Sequence, residues 1–340
     1  MTTTTSTRDL RTLPKGHLHI HLELAMRSTL LADLATAVGE PMPTVRGYGS
    51  FTAFSEMCRG AMSFLRSRED WERLAADVIA DAVDDGVTYL EPGFTANNHT
   101  DRWGSDDAVW EMVLEVFDKA SAGTGVTVRF MSSVDRVFDT PEVAVGVAET
   151  SLRFKSVDGG PGIVAFGLHN DEVGHPAGDF VDAFRVARDG GLLITPHAGE
   201  LEHGQFVHDS IELLGAHRIQ HGVRAFEVPG LVDELAARGT CLDVCPTSNI
   251  MLSVFPSLAE HPLPRLLAAG VRCSVNADDP LLFGVGILDE YEVCRDAFGF
   301  DDDTMATIAR TSILAGGAPD DVRERTLAGI DAWLGTPADG

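Results

Sequence analysis

Gly190-Gly191-Leu192-Leu193-Ile194-Thr195-Pro196-His197-Ala198-Gly199-Glu200 is the stretch on which the fold turns. Paired glycines end a helix whose apolar stripe is Phe180, Ala183, Phe184 and Ala187, four apolar or β-branched residues make a short strand, and His197 and Glu200 follow its C-terminal end. The same order recurs on both sides. A helix with Trp71, Leu74, Ala75, Val78 and Ala82 on one face exits at Asp85-Gly86 into a strand at 87–91. Gly125 opens a strand at 126–131, Gly159-Gly160 leads to one at 163–168, and strands at 218–221, 240–244 and 271–276 follow, the last two behind Gly239 and Gly270. A first strand begins near Gly16, and a final helix carries Met305, Ile308, Ala309 and Ser312 on one face.

Strands this uniformly apolar, each followed by a helix, are buried on both faces of a parallel sheet. Eight such units fit a closed (β/α)8 TIM-type barrel better than an open doubly wound sheet, and no Gly-rich phosphate loop follows an early strand. The expectation is a flexible polar tail at 1–12 and one catalytic domain at 13–335 with extra helices after strand 1. Those extras are a helix at 26–38, a Pro/Gly-rich connection at 39–49, and a segment with Phe51, Phe54, Met57, Cys58, Met62 and Phe64. That last segment either joins the core or walls an apolar pocket above the barrel mouth.

The 340 residues carry 26 Lys and Arg against 52 Asp and Glu, a formal charge of -26. Such a charge repels phosphate backbones and anionic bilayers, so neither nucleic acid nor membrane is an expected partner. The five cysteines are odd in number and scattered. The first residues lack the apolar core of a signal peptide, and no run approaches the roughly 18 apolar residues of a membrane span, so a reducing cytoplasm is expected. The pattern leaves the oligomeric state open.

In a barrel of this kind the working residues stand at the C-terminal ends of the strands, and ligand-type residues collect there. Leu18-His19-Ile20-His21-Leu22-Glu23 ends strand one, with His19 and His21 on one face because alternate residues share a face. Asn170-Asp171-Glu172 follow strand four, His197 and Glu200 strand five, and His221 ends strand six. Cys245-Pro246-Thr247-Ser248-Asn249 follow strand seven, and Asp278-Asp279-Pro280 strand eight. His19, His21, His197 and Asp278 are a nitrogen and oxygen set suited to zinc or another first-row divalent ion, with room for an activated water. Glu200 can shuttle a proton from that water to the leaving side of a substrate, and His221 can orient the nucleophile. Asp279 is left to hydrogen-bond the substrate.

At this point the sequence resembles the adenosine deaminase family of the metal-dependent amidohydrolases. Leu13-Pro14-Lys15 with the His19-Ile20-His21 stretch, Pro196-His197-Ala198-Gly199-Glu200, Arg218-Ile219-Gln220-His221-Gly222, Cys245 to Asn249 and Asn276-Ala277-Asp278-Asp279-Pro280 carry the resemblance, in the family's order. It implies one zinc ion per chain on His19, His21, His197 and Asp278, Glu200 as proton donor to purine N1, His221 as the residue that positions the attacking water, and Asp279 as partner of purine N7. The implied reaction is attack of metal-bound hydroxide on C6 of adenosine or 2′-deoxyadenosine, giving the inosine product and ammonia. Adenine or another 6-aminopurine is the alternative substrate. Strand four ends without a Lys that could bridge two metals, and the zinc signature of cytidine deaminases is absent.

Two positions depart from the family pattern. Glu23 keeps the acidic residue that in the family meets a ribose hydroxyl, but Leu24 stands where a Gly is usual. Asn170 stands where the family has a Gly whose N–H meets purine N3; Asn tolerates a left-handed backbone better than most residues. Among the other polar residues, His17 reads as structural or as support for the metal ligands. Glu91 reads either as a satisfied buried carboxylate or as such support, and Cys241 and Cys245 as inert buried thiols. His99, His175, His203, His208, His217 and His261 read as surface or loop residues, with His203 within reach of the mouth.

Overall fold

The computed structural model describes residues 8–46 and 49–337. Its strands follow in chain order: β1 (Lys15–His17), β2 (Val87–Leu90, continuing at Gly93–Phe94), β3 (Thr127–Val128, continuing at Phe130–Asp135), β4 (Ile163–His169), β5 (Leu193–Ile194, continuing at His197–Ala198), β6 (Arg218–His221), β7 (Cys241–Val244) and β8 (Arg272–Val275). Each pairs in parallel with the next. Beyond the ends of β1 and β8, a parallel bridge joins Ile20 to Asp278, with His21 N donating to Asp278 O at 3.0 Å and Asp278 N to His19 O at 3.1 Å. The ring of strands is therefore a (β/α)8 barrel, and its last rung runs through residues that the sequence marks for chemistry. The breaks in β2 and β5 fall at Pro92 and Pro196, which lack the N–H that a ladder needs.

Three helices separate β1 from β2: α1 (Ser28–Val38), α2 (Phe51–Met62) and α3 (Arg68–Asp84). The expected extra helices are thus present, with α1 two residues shorter than the periodicity predicts because Glu23–Ala25 forms a 3-10 turn of its own. Helix α3 shows why the sequence folds as it does. Ser67 accepts from Asp70 N while Asp70 caps the Ser67 backbone in return, and Trp71, Leu74, Ala75, Val78, Ile79 and Ala82 turn inward. Gly86 then adopts φ +74°, where a Cβ would meet Arg11 O at 2.2 Å, so the exit into β2 admits only glycine.

Residues 1–7 of the expected tail lie outside the described part. The rest of it is docked rather than free: Arg8 Nη1 bonds Asp302 Oδ2 at 2.7 Å, its Nη2 donates to Leu334 O at 2.6 Å, and Leu10 is buried. The partner of this docking is partly a helix that the sequence reading leaves out, Asp320–Gly335, which follows Asp302–Ala315. It buries only Val322, Thr326, Ile330 and Trp333, a stripe too narrow to stand out by periodicity. Among the described residues no helix is long and apolar enough to cross a membrane, and all five cysteines are free.

Charge is buried inside the protein as well as displayed on it. Arg218, at the start of β6, donates to Glu91 Oε1 at 2.6 Å and to Asp243 Oδ2 at 2.9 Å, and Glu91 also accepts from Tyr89 Oη at 2.6 Å and Gly317 N at 2.8 Å. Glu91 is thus a satisfied buried carboxylate, the first of its two readings. Glu290, in the helix Ile287–Asp296, accepts from Thr247 N at 3.0 Å, and burial pushes its carboxyl from an ordinary 4.5 up to about 8. The folded state thus keeps a proton that the unfolded chain gives up above pH 4.5, and the stability linked to this group falls as pH rises toward 8. Glu290→Gln, which cannot ionise, is expected to raise Tm relative to the parent by an amount that grows from pH 5 to pH 8; thermal melts across that window check the sign.

Candidate active site

The C-terminal rim of the barrel gathers the residues named from the sequence. One side-chain atom each from His19, His21, His197 and Asp278 falls within 4.8 Å of the others. His19 Nε2 lies 3.1 Å from His197 Nε2 and 3.0 Å from Asp278 Oδ1, and His21 Nε2 is 3.4 Å from the same oxygen. Their orientation is fixed from behind. His19 Nδ1 lies 3.0 Å from Asp243 O and His197 Nδ1 3.0 Å from Leu168 O; a carbonyl only accepts, so both Nδ1 atoms carry the proton. Two Nε2 lone pairs and a carboxylate oxygen then face one another in a buried space, an arrangement that repels itself unless a cation lies between them. The donor set therefore fits a divalent metal.

Outer contacts hold this set in place. Ser248 Oγ donates to Asp278 Oδ2 at 2.7 Å, and Arg136 Nη2 donates to His197 O at 2.6 Å. Asp278 itself sits at φ +62° and His221 at φ +67°, backbone strain that a non-glycine residue accepts only when its surroundings impose it. Ser248→Ala is expected to weaken metal retention about 10- to 100-fold with turnover restored by excess metal, read by metal titration of the dialysed protein. Cys245 Sγ lies 3.4 Å from His19 Nδ1, and burial raises its thiol well above the ordinary range, so it keeps its proton as an inert thiol does.

Glu200 lies beside the cluster. Its Oε2 is 3.3 Å from His221 Nε2, its Oε1 accepts from Asn249 Nδ2 at 3.1 Å, and burial, reinforced by Asp278, Glu172 and Asp279, holds its carboxyl well above the usual range. A carboxyl so placed retains a proton at neutral pH. The loop that carries it is pinned by Glu172, whose carboxylate accepts from Gly199 N at 2.8 Å and Glu200 N at 2.9 Å. Burial drives His221 well below its ordinary value, so its imidazole is neutral and its Nε2 stands 3.8 Å from Asp278 Oδ2. Asp279 is buried against the cavity, and its Oδ1 has no hydrogen-bond partner among the described residues.

These groups open onto a cavity of about 520 Å3. Phe51, Phe54, Cys58 and Met62 of α2 line it, so that segment does wall a pocket; Phe54 also stacks on Phe283 with ring centroids 5.5 Å apart. Asn170 takes φ +77°, the left-handed conformation its residue type tolerates, with its Nδ2 held by Asp135 at 2.9 Å. Glu23 and Leu24 are buried on the cavity wall, and Glu23 Oε1 is engaged by His99 Nε2 at 2.8 Å.

His99 is thus no surface residue. Phe94 stacks on it and Trp71 meets it edge-on, at the end of a 3-10 turn (Ala96–His99) too short for periodicity to announce burial. His261 is likewise buried, its Nε2 3.2 Å from Asn249 Oδ1, which orients the amide that touches both Glu200 and His221. His17 is structural, its Nε2 accepting from Ala277 N at 3.1 Å next to Asp278, and His203 remains exposed outside the cavity lining.

The sequence model of the family described as adenosine deaminase matches residues 14–333. The chain belongs to that family. This adenosine deaminase family member is 38% identical over 96% of its length to 98% of a Streptomyces virginiae protein that carries the undecided name adenosine/adenine deaminase. It is 37% identical over 95% of its length to 98% of an adenine deaminase from Chelativorans sp. (strain BNC1). The crystal structure of an adenine deaminase from Arthrobacter aurescens superposes with a TM-score of 0.87 at 27% identity, covering 95% of this chain and 99% of that one. The family member is a hydrolase that acts on C–N bonds of cyclic amidines.

Proposed function

We propose that this protein is a zinc-dependent deaminase, with one metal ion per chain, that hydrolyses free adenine to hypoxanthine and ammonia. The observation that carries the choice of base over nucleoside is the Glu23–His99 contact. The acidic residue that meets a ribose hydroxyl in the family has one oxygen taken by His99 at 2.8 Å, and Leu24 fills the turn beside it. A sugar would have to compete with a buried hydrogen bond and displace a buried leucine; a bare purine does not. His19, His21, His197 and Asp278 hold the ion. When bound, zinc supplies a water activated for attack near pH 7.

This chain's own residues do the rest. His221 is neutral, and Asn249 Nδ2, which only donates, faces its Nδ1; its Nε2–H therefore donates to the oxygen of the attacking water and aims it at C6. Glu200 gives its proton to N1, so that negative charge does not build up on the ring as the carbon becomes tetrahedral. Asp279, whose carboxyl is held well above the usual carboxylate range by burial and by Asp278, donates to N7. The Glu200 carboxylate left by the transfer to N1 takes the proton of the newly added hydroxyl and passes it to the exocyclic nitrogen, which leaves as ammonia while C6 becomes a carbonyl. Ultraviolet absorbance of the zinc-loaded protein with adenine, adenosine and 2′-deoxyadenosine tests this reading: adenine is expected to turn over with a kcat/KM about 100-fold or more above either nucleoside. Faster turnover of adenosine would return the nucleoside as substrate.

A further inference from the structure

His169, the last residue of β4, has no part in the reaction described above. It lines the cavity, its ring stacked on His21 with centroids 5.7 Å apart and 6.5 Å from that of His197, beside the ligand cluster without belonging to it. Among the described residues only one of its nitrogens has a partner: Nε2 lies 3.1 Å from Thr95 Oγ1 and 3.7 Å from Asp135 Oδ2. Asp135 is otherwise occupied, accepting from Val137 N, Phe138 N and Asn170 Nδ2. Its negative charge beside Nε2 favours a proton on that atom, which then donates to Thr95. Nδ1 remains as a bare acceptor on a residue that borders the substrate space.

Such an acceptor calls for an N–H on the ligand. A 6-aminopurine nucleoside has none on its ring, because the sugar occupies N9; the free base has one there. We propose that His169 is a specificity-determining residue that selects the free base by accepting a hydrogen bond from its N9–H through Nδ1. The proposal rests on the free-base reading above and names a residue that enforces it.

The test compares adenine with 9-methyladenine, which keeps the reacting carbon and loses the N–H, in the zinc-supplemented wild-type protein and three variants. His169→Phe keeps a ring of similar size and removes both nitrogens. His169→Gln places its amide toward Thr95 and leaves nothing at the Nδ1 position, whereas His169→Asn offers an amide oxygen there. The wild-type preference for adenine, as a ratio of kcat/KM values, is expected to fall about tenfold in the Phe and Gln variants through a raised KM for adenine, and to survive in the Asn variant. An unchanged ratio in the Phe and Gln variants overturns the proposal, as does an equal loss on both substrates. If the Phe variant does not fold, the contrast between Gln and Asn decides by itself. No adenine turnover by the wild-type protein overturns the free-base reading; adenine turnover with an unchanged ratio overturns only the role of His169.

Discussion

Glu200→Gln is expected to lower kcat for purine deamination about a thousandfold while leaving bound metal and fold unchanged. The substitution is nearly isosteric. Asn249 Nδ2 still finds an oxygen to donate to, and the backbone of the loop stays pinned by Glu172, which holds Gly199 N and Glu200 N rather than the Glu200 side chain. What disappears is the proton. Burial and three neighbouring carboxylates keep the Glu200 carboxyl protonated, so the group is loaded before substrate arrives and can discharge only onto an acceptor in the cavity. Because that transfer belongs to the transition state, kcat and kcat/KM are expected to fall together with little change in KM. Absorbance kinetics alongside metal analysis check this. Turnover within a fewfold of the parent would mean that another group, His221 being nearest at 3.3 Å, carries the proton instead.

The legible part of this site is the part set by the strand repeat. His19, His197, His221 and Asp278 are found because each stands where an apolar run ends, and eight strand ends of a parallel barrel share one rim. The closing rung between Ile20 and Asp278 carries no such mark, since neither residue's type says which strand it will neighbour. The same holds for His99, His261 and Arg136. Each sits in a 3-10 turn, a loop or at a strand end with no periodic flank, and is joined to the site by what the fold brings to it: Glu23 for the first, Asn249 for the second, the His197 carbonyl for the third. Substrate choice is hidden for a related reason. Glu23 reads as a sugar contact while only the sequence is considered, and becomes an occupied one when His99 arrives from the far side of α3 and β2.

His19→Ala is expected to abolish metal retention and turnover together, a larger effect than the 10- to 100-fold typical of losing an outer contact. His19 is fully buried, and its Nε2 faces both His197 and Asp278, so its loss removes the donor that joins the two. Its backbone carbonyl still receives Asp278 N in the variant, and the barrel stays closed. Adding zinc is expected to raise the Tm of the parent, as a ligand of the native state must, and to leave the Tm of the variant unmoved. That readout needs no catalysis. His19 alone does not settle which set binds, because His19, His221 and Cys245 also approach one another. The two sets use opposite faces of the same ring: Cys245 lies against Nδ1, which already donates to Asp243 O, whereas Nε2 is bare. His197→Ala therefore separates them. Loss of the zinc-induced Tm shift in that variant, with the shift kept in Cys245→Ser, assigns the ion to His19, His21, His197 and Asp278; the reverse pattern would move it to the thiol side and remove the basis for placing Glu200 beside the attacking water.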